Sequence, residues 1–328
     1  MRIISKIAVA LSILTMPVAS GISAAHAQGE SFPTKAIHIV VPFSPGGAVD
    51  MLGRLIATHL SQQMHQSVIV ENRPGANGNL GTEYVVKSAP DGYTLLLGSN
   101  GMASNGLVYS HRSFNELKDL TAIGYIGSAP LIMVVGKNYP ADSAGEIIAK
   151  AKSDPTSVSY ASAGFGSSAN LASEALKFAA KVDILHVPYK GGAPAIVDLS
   201  TGRVSFMMLD PLQAMPQIKS DRLRALMIGT NDHLSLLPNV QTAGEAGYPD
   251  LNATVWWGLV APVGTPPDVV RKLNAELNTV LNNADVKNQL ISLGVTLQPG
   301  TPEQFDKYIH AQVEKWAPIV KAAGIKAD

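Results

Sequence analysis

Apolar and polar positions fall along the chain in blocks of two kinds. Short, nearly continuous apolar runs occur at Ala36–Phe43, Ser67–Val70 and Tyr93–Leu97, the pattern of strands buried on both faces of a parallel sheet. Between them lies helical periodicity: Met51, Leu52, Leu55, Ile56, Leu60 and Met64 share one face. A second helix is expected over about Asn77–Ser88. Turn chemistry at Ser44-Pro45-Gly46-Gly47, Asn72-Arg73-Pro74-Gly75 and Pro90-Asp91-Gly92 separates these segments. The rhythm strand, helix, strand, helix, strand predicts a parallel α/β sheet with right-handed crossovers.

The alternation continues downstream. Strands are expected at Leu131–Val135, Val158–Ala161, Ile184–Val187, Val204–Leu209 and Leu223–Ile228, and helices at Ala169–Ala180 and Ala193–Leu199. Ser143 with Glu146 forms a capping box. Thr265-Pro266 and Thr301-Pro302 each pair an N-cap residue with a proline at the first helical position. After Thr301, an apolar stripe runs through Phe305, Ile309, Val313, Trp316 and Val320. Two long apolar runs, Ala122–Val135 and Thr254–Ala261, suit crossings between lobes. They suggest a discontinuous first lobe, 28–126 plus 254–328, around a second lobe at 127–253. Trp256 and Trp257 are expected in the core or at such a crossing, and His186 as a packed residue in its strand.

Residues 1–27 follow a different rule. Arg2 and Lys6 precede an apolar stretch, and Ala25-His26-Ala27 is a small-x-small cleavage site, the pattern of a secretory signal peptide. The apolar core is shorter than the ~20 residues a membrane span needs. Removing the segment takes away two basic and no acidic residues, leaving 23 basic against 25 acidic, a net charge of −2. The 328-residue chain has no cysteine, which excludes disulfides, thiolate metal sites and a lipid-carrying cysteine. Its balanced charge gives no basic field for nucleic acid. An exported, mildly acidic protein that is not embedded in a membrane fits a bacterial periplasm.

Two glycine loops carry candidate chemistry. Phe43-Ser44-Pro45-Gly46-Gly47 joins a strand to a helix, and Ser162–Ser168 repeats that arrangement with added hydroxyls. Bare glycine lets a ligand approach the backbone, and the helix behind offers free amides and a partial positive charge. Together these make an anion site, and one loop from each lobe would clasp a small anion between them. Asp50 is expected to serve structure by pairing with Arg54, four residues on. Gly164-x-Gly166-x-x-Ala169, with Asp183 further on, also satisfies a dinucleotide fingerprint, a weak signal alone. The histidines show no paired metal spacing and no G-x-S-x-G elbow is present, so no metal, cofactor or catalytic residue is expected. Tyr189-Lys190-Gly191-Gly192 and Asp210 sit at strand ends, where α/β ligands bind. An acid at 210 would repel a carboxylate yet accept from an amine or hydroxyl.

Six ordered motifs sharpen this picture. They are Phe43-Ser44-Pro45-Gly46-Gly47-x-x-Asp50, Glu71–Ala76, Pro90–Leu96, Tyr160-Ala161-Ser162-x-Gly164-x-Gly166-Ser167-Ser168, Val187–Gly191 and Pro262-x-Gly264-Thr265-Pro266. From about Phe32 onward the chain resembles the Bug family of extracytoplasmic solute receptors, the binding components of tripartite tricarboxylate transporters. The resemblance implies a two-lobed α/β periplasmic binding protein of type II, each lobe a parallel-rich sheet flanked by helices with the cleft between them. It implies organic-acid ligands, a membrane permease as partner and a monomeric, non-catalytic receptor. Carried over, the ligand contacts would come from Phe43, Ser44, Gly46, Gly47, Ser162, Gly166, Ser167 and Ser168, with Asn170, Tyr189 and Asp210 as further candidates. Asn170 stands where the family commonly has histidine, and Leu209-Asp210-Pro211 where it often has a Phe-Asp-Asn-like stretch. A ligand-sensing subunit of a two-component system and an exported NAD(P)-binding enzyme remain as alternatives.

Overall fold

The computed structural model describes residues 32–327; the signal-peptide segment lies outside them. In chain order the first part runs β1 (Ile37–Val41), α1 (Ala48–Met64), β2 (Val68–Asn72), α2 (Asn79–Val86), β3 (Thr94–Gly98), α3 (Gly101–Val108), α4 (Glu116–Asp119) and β4 (Leu120–Pro130). The middle part runs β5 (Ile132–Gly136), α5 (Ala144–Ser153), β6 (Ser159–Ser162), α6 (Ser168–Ala180), β7 (Leu185–Pro188), α7 (Gly192–Ser200), β8 (Phe206–Leu209), α8 (Pro211–Lys219) and β9 (Leu223–Ile228). The chain closes with β10 (Thr254–Pro262), α9 (Pro267–Asn282), α10 (Ala284–Ile291), β11 (Thr296–Leu297) and α11 (Pro302–Ala323).

The strands form two sheets, ordered β11-β4-β10-β3-β1-β2 and β7-β6-β8-β5-β9. Both are mixed. β1 pairs in parallel with β2 and β3, and β6 with β7 and β8. The remaining pairs, those of β10, β11 and β5, are antiparallel. β4, β5 and β10, all in antiparallel pairs, carry the chain between sheets. It leaves the first sheet at Pro130, enters the second at Ile132 and returns at Thr254. Within the apolar run Ala122–Val135, the segment Gly127–Pro130 stays paired with β10 as part of one long strand.

The helices dock as their patterns require. α1 buries Leu52, Ile56, Leu60 and Met64 but leaves Met51 exposed. A Cβ at Gly53 would come within 2.9 Å of Val41, so glycine there lets α1 lie close on β1. Ser143 caps α5 through the Glu146 amide, and Thr301 with Gln304 forms a full capping box on α11. The start of α9 differs from expectation by one residue. Pro266 is its N-cap and Pro267 its first residue, while the Thr265 hydroxyl donates to Pro262 O at 2.7 Å. α11 packs on α3, β4 and α6, so it touches elements attached to both sheets.

Four helices, α3, α4, α8 and α10, have no expectation in the sequence, and two of them, α3 and α8, border the candidate functional site. α3 has glycine at 101 and 106 and no apolar stripe. It is held from outside: Asn100 donates to Thr254 O at 3.0 Å and accepts from the Trp256 amide at 3.0 Å. α8 carries Pro211 at its first turn and Pro216 inside, and Asp210 caps it.

Candidate functional site

The loop Phe43–Gly47 leaves β1 at the strand's C-terminal end, where open α/β sheets bind ligands. Its left-handed position is Gly46, at φ +80°; Gly47 is extended, at φ −82°. A side chain at 47 would therefore meet no left-handed strain, and a Cβ there would make only ordinary contacts with Ser44 O at 3.6 Å and Gln213 Oε1 at 3.8 Å. Asp50 fixes the turn. It accepts from the Gly46 amide at 2.9 Å, from Arg54 Nε at 3.0 Å and from Asn72 Nδ2 at 2.9 Å. Burial alone would raise its pKa, but Arg54, the Gly46 amide and Asn72 together hold it below the usual value. Gly47 supplies no side-chain cap to α1, so the first amides of that helix stay available.

The second loop is braced the same way, by more partners. Gly164 and Gly166 take φ +125° and +76°. The Ser162 hydroxyl accepts from the Gly164 amide at 3.1 Å and lies 2.6 Å from His186 Nε2. His186 stacks on Tyr160, and burial, with Lys177 nearby, lowers its pKa to about 4, so it is neutral at pH 7. Asn170 Oδ1 accepts from the Gly166 amide at 2.8 Å while its Nδ2 donates to the Tyr160 hydroxyl at 2.7 Å. The Ser167 hydroxyl donates to Gly164 O at 2.7 Å and caps α6 at the Asn170 amide.

The two loops face each other across a cavity of about 60 Å³. From the first come Phe43, Gly47, Ala48 and Val49; from the second, Ala163, Ser167 and Ser168. Gly192 opens α7 on its wall, and Asp210 and Gln213 present the start of α8. Ser99 and Gly101 add the start of α3, Asn77 adds the turn before α2, and Val255 and Trp257 of β10 form the remaining wall. Five helices thus begin at one small space: α1, α3, α6, α7 and α8. Their amide dipoles sum there to a positive field, although no lysine, arginine or histidine is among the lining residues.

Of the residues expected at the site, Phe43, Gly47, Ser167, Ser168 and Asp210 line this cavity. The others stand behind it. Ser44 donates to Lys190 O at 2.9 Å, tying the first loop to the segment before α7. Gly46 is bound to Asp50, and Ser162, Gly166 and Asn170 are engaged in bracing the second loop. The Tyr189 hydroxyl donates to Asp198 at 2.7 Å. Asp183, the acid of the dinucleotide fingerprint, is 88% exposed beside Lys177, and the Gly166 amide of that fingerprint is already paired.

Asn77, Gln213, Gly192 and Trp257 were not singled out as ligand contacts. Asn77 and Gly192 had legible cues, an Asn-Gly turn and a paired glycine before a helix; Gln213 had none. Three of these side chains bury a polar atom without a hydrogen-bond partner: Asn77 Oδ1, Gln213 Oε1 and Trp257 Nε1. Asp210 accepts from the Gln213 amide at 3.1 Å and from Gln213 Nε2 at 2.6 Å. Burial raises its pKa to about 6 against these bonds. A larger, mostly apolar groove of about 360 Å³ lies between α6 and α11, lined by Phe178, Trp316 and Ile319 among others; neither glycine loop reaches it. Among the described residues no group of three or more histidines and acids is placed to hold a metal.

Comparison with known proteins converges on one group. Residues 52–325 match the family described as "Tripartite tricarboxylate transporter family receptor". The protein BugT of Bordetella pertussis is 34% identical over 318 residues, covering 96% of this chain and 98% of BugT. An R. palustris protein solved with adipate superposes with a TM-score of 0.87 at 33% identity, covering 90% of this chain and all of that one. MatC from Rhodopseudomonas palustris, solved with bound malate, gives 0.84 at 31% identity, covering 88% and 100%.

Proposed function

Because the chain belongs to the tripartite tricarboxylate transporter receptor family, we propose that it captures a small organic carboxylate in the cavity between its glycine loops and hands it to a membrane permease. It acts as a monomeric binding protein and carries out no catalysis. Export precedes this role, with residues 1–27 removed in the periplasm. The lobes divide as 28–126 with 254–328 and 127–253, a division supported by the change of sheet at Pro130–Ile132 and at Thr254.

The observation that carries this reading is the convergence of five helix N-termini on one space whose walls hold no cationic side chain. Such a site neutralises an anion with backbone dipoles, which cost no side-chain entropy to organise. Adipate and malate in the two related structures are both organic acids, which fits this chemistry. Ser44, Gly46, Ser162, Gly166 and Asn170 then act by holding the loops, while Gly47, Ser167 and Ser168 meet the ligand.

The test is a thermal-shift and calorimetry panel of mono-, di- and tricarboxylates on protein stripped of bound ligand. At least one acid should raise the melting temperature, since saturation at 100 Kd stabilises the folded state by about 2.7 kcal/mol. Gly47→Val should abolish the response while costing the ligand-free fold only about 1 kcal/mol as a poorer N-cap, because the backbone at 47 accepts a side chain. A panel with no response, or a Gly47→Val variant with full affinity, overturns the proposal.

A further inference from the structure

The cavity is not uniformly built for negative charge. Amides at the starts of α1, α3 and α6 and the unpartnered Trp257 indole N–H are donors. The same lining includes the acid Asp210 and two residues, Gln213 and Asn77, whose side-chain oxygens Oε1 and Oδ1 are buried without a hydrogen-bond partner. Asp210 is 7% exposed and is the one charged side chain among the described residues that line the cavity. Its oxygens accept from the Gln213 amide and from Gln213 Nε2, and the amides of Asp210 itself and Leu212 also favour its charged form. No cation offsets its buried charge.

We infer that this receptor selects acids that carry a hydroxyl or ammonium donor beside the carboxylate, with Asp210 as the residue that accepts from it. The inference rests on the carboxylate reading and narrows it. A plain dicarboxylate would set its second anionic group among acceptors, with no donor to satisfy them. A hydroxyl or ammonium group would instead pair with Asp210 and fill a vacancy at Gln213 Oε1 or Asn77 Oδ1. Sites built to bond a ligand donor reject the analogue that lacks it, because their own buried groups are then left unpaired. Burial holds the Asp210 carboxyl near 6, so at neutral pH it is mostly an acceptor.

The experiment is calorimetry at pH 7.5 with two matched sets on one carbon frame each: malate, aspartate and succinate, then lactate, alanine and propionate. Wild-type protein should bind a hydroxy or amino acid at least tenfold more tightly than its plain analogue. The ratio of malate to aspartate affinity shows whether the donor is a hydroxyl or an ammonium. Asp210→Asn keeps a side-chain oxygen for the N-cap and should shrink the ratio to within threefold, by weakening the donor-bearing acid. Succinate or propionate bound within threefold of its analogues by wild type, or a ratio kept by Asp210→Asn, overturns the inference and leaves the carboxylate reading standing. If none of the six acids binds, the inference falls, and the wider acid panel decides the carboxylate reading.

Discussion

Asp50 and Asp210 are buried acids beside the same cleft, and their surroundings push them in opposite directions. Asp50 meets a guanidinium, an amide N–H and an asparagine, so it stays ionised and holds α1 to its loop. Asp210 meets Gln213 and nearby backbone amides but no cation, and burial raises it to about 6 from a model-peptide value of 3.8. Between those values the native state binds more protons than the unfolded chain, so stability falls as pH rises from about 4 to about 6. The full effect is at most about 3 kcal/mol. Urea denaturation at pH 4.5 and pH 7.5 should therefore show Asp210→Asn gaining relative to wild type at the higher pH; an unchanged difference would show that Asp210 does not titrate in this window. The Asp50–Arg54 pair was legible from its spacing of four on a helical pattern. Gln213 was not: it follows a strand and a proline, and only the fold brings its amide between Asp210 and Gly192.

Helix starts, rather than whole helices, make the site. α1 and α6 were readable because an apolar strand, a glycine loop and an amphipathic run follow one another in sequence. α3 was not, because its eight residues owe their place to tertiary bonds from Asn100 to β10 and not to a stripe of their own. It matters nonetheless: Ser104 on α3 donates to Gly166 O at 2.6 Å, joining an element of the first sheet to the loop of the second. Ser44 makes the matching contact on the other side, to Lys190 O. Each is a single hydrogen bond that holds the two lobes together, and each contributes about 1 kcal/mol. Ser44→Ala with Ser104→Ala should weaken ligand affinity by roughly tenfold or more, through the off-rate, while far-ultraviolet circular dichroism stays unchanged. Affinity equal to wild type would show that these contacts do not help to keep the cleft closed.

At the scale of the molecule, two mixed sheets are linked by strands that cross between them, and α11 spans elements of both. The alternating α/β order and the two crossings were legible because buried strands leave long apolar runs. The antiparallel pairing of β5 and β10 was not, because strand direction depends on where the chain returns and not on any local pattern. In the proposed function, it is the meeting of five helix starts from both sheets that makes one anion pocket. The most direct test is a crystal structure of the protein with an acid that stabilises it in the panel. Its carboxylate should lie within hydrogen-bond distance of amides at the starts of α1 and α6, between Gly47 and Ser168. A ligand seated in the α6–α11 groove beside Trp316, with the loop cavity unfilled, would contradict it.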